Sequence, residues 1–191
     1  IKRLYVHEKI YMPLLEELRQ IAGSVKIGNG LEPETQLGPM NNLPQLNRVI
    51  ELVEDAQKNG GRIVIGGERL DRPGYFYPPT LVTDICEGVR LVDEEQFGPA
   101  LPVMPFKNVD EALERANSTH YGLGGSVWTG DVEKGAALVA QLDCGAGWVN
   151  QHIGLSPFAP FGGVKWSGIG YQNGLWGLED MTEMQVINIS R

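Results

Sequence analysis

The sequence predicts an α/β protein built on a mostly parallel, doubly wound sheet. Between Leu101 and Val149, strand-like and helix-like patterns alternate in the order β-α-β-α-β. The two helical stretches in that run open on side chains suited to capping, Asn108 and Asp131. Upstream, Ile63-Val64-Ile65 is an apolar, β-branched run closed by Gly66-Gly67, which reads as a buried strand.

Taken in order, Leu4-Tyr5-Val6 reads as a short strand. Ile10, Leu14, Leu18, Ile21 and Val25 then recur at helical spacing, opposite Glu16, Glu17 and Arg19. Pro13 is expected in the first turn of this helix, where a missing N–H costs little. Residues 25–40 form a Gly- and Pro-bearing connector. A second helix opens at Pro44, carries Leu46, Val49, Ile50 and Val53 on one face, and stops at Asn59-Gly60-Gly61. Residues 70–79 read as irregular, and Thr80-Leu81-Val82 as a strand.

Residues 101–106 form the next strand, with Pro102 and Pro105 arguing against a central, fully hydrogen-bonded place. A helix follows, with Asn108 and Glu111 as its capping pair and Val109, Ala112, Leu113 and Ala116 as its apolar stripe. Then come strand 126–128, a helix from Asp131 to about Leu142, and strand 147–149. Crossovers in such a sheet are right-handed, and ligands sit beyond the carboxyl ends of the strands. The segment leaving Val149 is therefore where chemistry is expected, and the long Gly/Pro-rich loop 154–174 fits a functional role. A short helix near residues 175–181 and a strand at Met184–Ile189 close the chain. That strand has no partner in the sheet and is read as an oligomer contact. The expected organisation is an α/β portion over residues 1–174, then a C-terminal helix and strand over 175–191. Leu4–Val6, Ile63–Ile65, Ser126–Trp128 and Trp148–Asn150 are expected to share one sheet.

Composition narrows the function. Sixteen basic against 24 acidic residues leave a net charge of −8 over 191 residues, the wrong sign for a phosphate-backbone binder. No apolar run approaches the roughly 20 residues of a membrane span, so neither nucleic acid nor membrane is an expected partner. Cys86 and Cys144 show no metal-ligand spacing, so no metal site is expected, and a reducing, cytoplasmic setting is the default.

Several motifs admit a bland and a functional reading. Gly168, Gly170 and Gly174 are spaced one residue off the dinucleotide fingerprint, with no strand running into them. His120 and His152 have no Ser or Cys partner at a recognisable spacing and read as structural or exposed, not catalytic. Cys144, at a helix-to-strand turn, reads as a small apolar side chain. Cys86, between Asp84 and Glu87, sits in a poor setting for an anionic nucleophile. Asp93-Glu94-Glu95 before Phe97-Gly98-Pro99 reads either as a solvated acidic turn or as a ribose site. In the second reading a carboxylate accepts hydrogen bonds from vicinal hydroxyls while Phe97 supplies a flat wall.

Together, Glu94-Glu95-Gln96-Phe97-Gly98-Pro99, residues 117–123, Trp148-Val149-Asn150 and residues 160–168 (PFGGVKWSG) are ordered and spaced as in the NAD(P)-dependent aldehyde dehydrogenase superfamily. The chain resembles the C-terminal catalytic-domain part of such an enzyme over essentially its whole length. Arg3-Leu4-Tyr5-Val6-His7 is similar to the stretch just after the family's nucleophilic cysteine. The resemblance implies aldehyde oxidation to a carboxylic acid. A cysteine forms a thiohemiacetal, hydride passes to NAD or NADP, and water activated by a glutamate hydrolyses the thioester.

By the same resemblance, the nucleophile and the base lie upstream, in a missing N-terminal part that also binds the cofactor. No catalytic residue is then expected in this chain, which would be inactive alone. Glu95 and Phe97 match the family's nicotinamide-ribose carboxylate and ring-side aromatic, and Gln45 and Arg48 fall near a ribose. Asn150, Gln151, Ile153, Leu155 and Phe158 would line the path of a small-molecule aldehyde. A homodimer or homotetramer is implied. Tyr171-Gln172 departs from the Arg-Glu common at that place in the family. The competing expectation is a noncatalytic structural or assembly module with the same fold.

Overall fold

The computed structural model describes all of residues 1–191, which form two compact units, Ile1–Ala112 and Leu113–Arg191. In the first unit, β1 (Leu4–His7) leads directly into α1 (Glu8–Ser24). A connector carrying an Ile27–Leu37 bridge leads to α2 (Leu43–Lys58), followed by β2 (Arg62–Ile65), β3 (Thr80–Thr83), the single turn α3 (Arg90–Asp93) and β4 (Ala100–Phe106). The sheet order is β1-β4-β3-β2, with β1, β4 and β3 parallel and β2 antiparallel at the edge.

Alternation along these strands fills both faces. Val6, Leu81 and Val103 pack with Leu15 and the Tyr11, Leu14, Leu18 and Ala22 stripe of α1. Val82, Ala100 and Met104 pack with Leu46, Val49, Leu52, Val53 and Ala56 of α2. Asn42 starts α2 by accepting the Gln45 backbone N–H on its side chain at 2.8 Å.

The boundary between the units falls inside α4 (Val109–Asn117), whose first turn is capped by Asn108 Oδ1 accepting from the Asp110 N–H at 2.8 Å. The second unit has a parallel pair, β5 (Gly124–Val127) and β6 (Ala146–Val149), joined by α5 (Val132–Val139). Asp131 Oδ1 caps α5 through the Lys134 N–H at 3.0 Å. The loop after β6 contains one 3-10 turn at Lys165–Ser167 and a Phe161–Gln172 bridge before α6 (Gly174–Glu179). Gly145 packs on the Gly162 carbonyl, where an added Cβ would stand 1.8 Å from the oxygen. Trp148 is the one large apolar side chain buried in this unit; Leu155, Phe158, Trp166, Ile169, Trp176 and Ile187 are all exposed. No helix of the chain is long and apolar enough to cross a membrane.

Five expectations need correction. The four segments assigned to one sheet divide between two, because β5 pairs only with β6. Ile63–Ile65, expected as a buried strand, is half-buried in an antiparallel edge strand with a register shift, since an apolar run encodes neither direction nor place in the sheet. β4 is central despite Pro102 and Pro105, since parallel neighbours on both sides leave each missing N–H as a single lost bond. Pro13 lies inside α1, which begins at Glu8, so the Lys9 carbonyl loses its helical donor; Ile10 and Ile21 are exposed. Residues 184–189 carry no strand and pair with no edge of either sheet.

Candidate functional site

In the first unit, α3 ends at Asp93 and the chain turns through residues 94–99 into β4. Buried and exposed side chains alternate sharply here. Gln96 is only 3% exposed, whereas Glu95 is exposed and Phe97 is 78% exposed. Gln96 donates from Nε2 to the Ala100 carbonyl, and its Oε1 accepts from Lys2 Nζ at 3.4 Å. Gln45, on α2, donates to the Gln96 carbonyl at 2.6 Å and to the Phe97 carbonyl at 3.3 Å. Gly98 lets the turn rest on α2, because a Cβ there would lie 2.5 Å from Val49 Cγ2. Phe97 has φ of 42°, a left-handed conformation that an aromatic residue adopts at a cost of order 1–3 kcal/mol.

Charge fixes the same turn. Arg90 donates from Nε to Glu94 Oε1 at 2.7 Å and from Nη1 to Glu51 Oε1 at 2.7 Å, and Arg48 pairs with the other Glu94 oxygen. The Arg90 guanidinium, with Arg48 beside it, holds the Glu94 carboxyl down to about 2. Glu94 is thus a structural anion, and Glu95 is the carboxylate presented outward.

In the second unit, Asn150 follows directly on β6, at φ of 53°. Its side chain clamps Thr129 from both sides, accepting from the Thr129 N–H and donating to the Thr129 carbonyl, each at 2.8 Å. Trp148 Nε1 donates to the Gly154 carbonyl at 2.9 Å, which folds residues 151–153 back on the strand end. His152 packs edge-on against Trp148, with Nδ1 3.2 Å from Ser126 Oγ, and burial lowers its pKa. A cavity of about 260 Å³ opens here, lined by Trp148, Gly154, Leu155, Ser156 and Phe161 among others. Gln151, Ile153, Leu155 and Phe158 are exposed.

The structure therefore brings Gln45, Arg48, Glu95 and Phe97 onto one turn, and Asn150, Gln151, Ile153 and Leu155 onto one strand end. Phe158 is 89% exposed and lies further along that loop. Gln45 and Arg48 act here on the turn itself, through its carbonyls and Glu94. Lys2 and Arg90 escaped sequence reasoning, and Gln96 and Trp148 entered it only as members of motifs, with no role of their own. The Lys2 contacts span 89–94 residues of sequence, which no local pattern carries. Cys144 is half-buried with Sγ turned to the Ala146 carbonyl at 3.2 Å, and burial pushes its thiol pKa up. No group of three or more His, Cys, Asp or Glu side chains is placed to hold a metal ion.

The aldehyde dehydrogenase family model matches residues 1–187. A betaine aldehyde dehydrogenase of Cereibacter sphaeroides is 38% identical over 188 residues, which is 98% of this chain and 39% of that protein. Aldehyde dehydrogenase 1A1 of Oryctolagus cuniculus is 35% identical over 98% of this chain and 38% of its own length. The aldehyde dehydrogenase of Bacillus cereus, solved as an NAD+ complex, superposes with a TM-score of 0.92 at 40% identity, covering 95% of this chain and 37% of that one. The chain thus spans less than half the length of these relatives.

Proposed function

The chain belongs to the aldehyde dehydrogenase family, and from that premise we propose that it supplies the nicotinamide-ribose surface and the aldehyde-facing loop of an enzyme that oxidises a small aldehyde to its carboxylic acid. The observation that carries this reading is the turn at Glu95–Phe97. An exposed aromatic ring on strained backbone costs stability, yet the turn beneath it is fastened by Gln45 and Gln96. Strain and exposure maintained at one place point to a ligand surface.

An outward carboxylate beside a flat apolar face fits a vicinal diol joined to an aromatic ring. Glu95 would accept the ribose hydroxyls, Phe97 would wall the ring, and Gln45 and Arg48 would hold both in place near the same ribose. When bound, NAD+ or NADP+ supplies the hydride acceptor. Asn150 would fix the strand end by its Thr129 clamp, with Gln151, Ile153, Leu155 and Phe158 facing the aldehyde and excluding water.

The cysteine nucleophile and the general-base glutamate belong, in this reading, to sequence outside these 191 residues, and the chain alone does not turn over. Residues 1–174 act as the α/β catalytic portion, and 175–191 serve assembly into a homodimer or homotetramer of a cytoplasmic enzyme. The exposed apolar side chains of the second unit support a need for covering partners. The test is calorimetric, in the complete protein. Phe97→Ala should weaken NAD+ binding while leaving ADP, which lacks the nicotinamide ribose, unchanged. Equal loss for both ligands, or for neither, would refute the assignment.

A further inference from the structure

We propose that Lys2 is a positioning residue for coenzyme binding: its ammonium fastens the residue 91–97 turn from the start of β1, as Gln45 fastens it from α2. The proposal rests on the reading of Glu95 and Phe97 given above. An ammonium has three N–H donors and no acceptor. Three oxygens of one short stretch meet Lys2 Nζ: the Leu91 carbonyl at 3.4 Å, the Gln96 side-chain Oε1 at 3.4 Å, and the Glu94 carbonyl. The Leu91 carbonyl lies in the last turn of α3, where regular helical pairing runs out. The Gln96 amide, held by Lys2 at one end and by the Ala100 carbonyl at the other, stands directly between Glu95 and Phe97.

The charge on Lys2 is carried at a cost. Burial, reinforced by Arg3 and opposed by Asp93, Glu95 and Glu94, pushes its pKa down from 10.5 to about 8. The folded protein therefore releases this proton before the unfolded chain does. Between about 8 and 10.5 this group makes stability rise with pH, and below 8 the charged amine is the less stable choice for the fold. A cation kept at that cost is explained by what it orders.

The experiment uses the complete enzyme and NAD+ as probe, titrated from pH 7 to 9.5 for wild type, Lys2→Met, Lys2→Arg and Glu95→Gln. Losing a charged hydrogen-bond donor to the turn should raise the NAD+ dissociation constant about tenfold in Lys2→Met at neutral pH. Its thermal stability should change little, because relief from burying a charge offsets the three oxygens left without their donor. Wild type should lose affinity as pH rises through about 8, and this step should vanish in Lys2→Met. Lys2→Arg, charged throughout, should retain affinity across the range. Wild-type affinity in Lys2→Met overturns the proposal, and a weakened Glu95→Gln beside it leaves the ribose reading intact. A silent Glu95→Gln beside a weakened, stable Lys2→Met removes the ribose reading and leaves the role of Lys2 standing. Should Lys2→Met not fold, Lys2→Arg decides: affinity retained without the pH step supports the proposal, and a persisting step near pH 8 overturns it.

Discussion

Gln96 and Glu95 are neighbours with opposite surroundings, and Gln96→Leu tests whether the turn is the rigid platform described. Leucine keeps the volume and removes every polar atom. The Ala100 carbonyl loses the Nε2 donor, and Lys2 loses one of its three oxygens. A buried acceptor left without its partner costs about 1–3 kcal/mol. At 1.4 kcal/mol per tenfold, that is roughly a 5- to 150-fold rise in local opening. Amide hydrogen exchange at residues 94–100 of the complete protein should accelerate by that factor, with α1 and α5 unchanged. NAD+ binding should weaken in parallel, because the platform moves with the residue beneath it. Exchange at the wild-type rate together with unaltered binding would show that Gln96 does not support the turn, and the positioning argument would fail with it.

The Glu94 carboxyl, held down to about 2 chiefly by Arg90, contributes stability that is present above its ordinary value of 4.5 and is lost as pH falls toward 2. Acid unfolding followed by circular dichroism should shift to higher pH in Arg90→Ala, and an unmoved acid limb would count against the network. Asn150→Gly suits the left-handed backbone but removes the Thr129 clamp, so exchange at Thr129 should rise severalfold. Unchanged protection there would mean that the backbone alone fixes the strand end. The 191-residue chain mixed with NAD+ and an aldehyde panel should yield no NADH and should self-associate in sedimentation. Steady NADH production would contradict the assignment of the nucleophile elsewhere.

Much of the fold is legible in local pattern. Asn108 and Asp131 stand where helices need their first N–H groups met, and the α2 stripe fixes the face that packs on Val82 and Met104. Glu95 and Phe97 are legible as chemistry, since a carboxylate and a ring two residues apart before a Gly-Pro turn form an unusual surface pair. The mostly parallel class is legible too, but sheet membership and the direction of the edge strand are not. Ile63–Ile65 has the same apolar content whether it runs parallel in the interior or antiparallel at an edge. Pro13 shows the limit of propensity: the α1 stripe of Tyr11, Leu14, Leu15 and Leu18, packed on the sheet, outweighs one lost bond. Residues 184–189 have strand composition, but pairing belongs to a partner edge and not to composition. The roles of Lys2 and Arg90 come from contacts across the fold, Lys2 reaching the turn and Arg90 reaching Glu51.

The central claim is that the Glu95 carboxylate holds the nicotinamide ribose, and the primary deuterium isotope effect on kcat in Glu95→Gln tests it most directly. The exchange keeps shape and removes the charge that strengthens each hydrogen bond, an effect of roughly 1.5–3 kcal/mol, or about ten- to a hundredfold. With the ring less well placed, hydride transfer should become the slow step. The complete enzyme given a deuterated aldehyde should then show a lower kcat and a larger isotope effect than wild type, with thermal stability little changed because Glu95 is exposed. A variant that unfolds while its surviving fraction turns over normally, with a wild-type isotope effect, would make Glu95 structural and contradict the account.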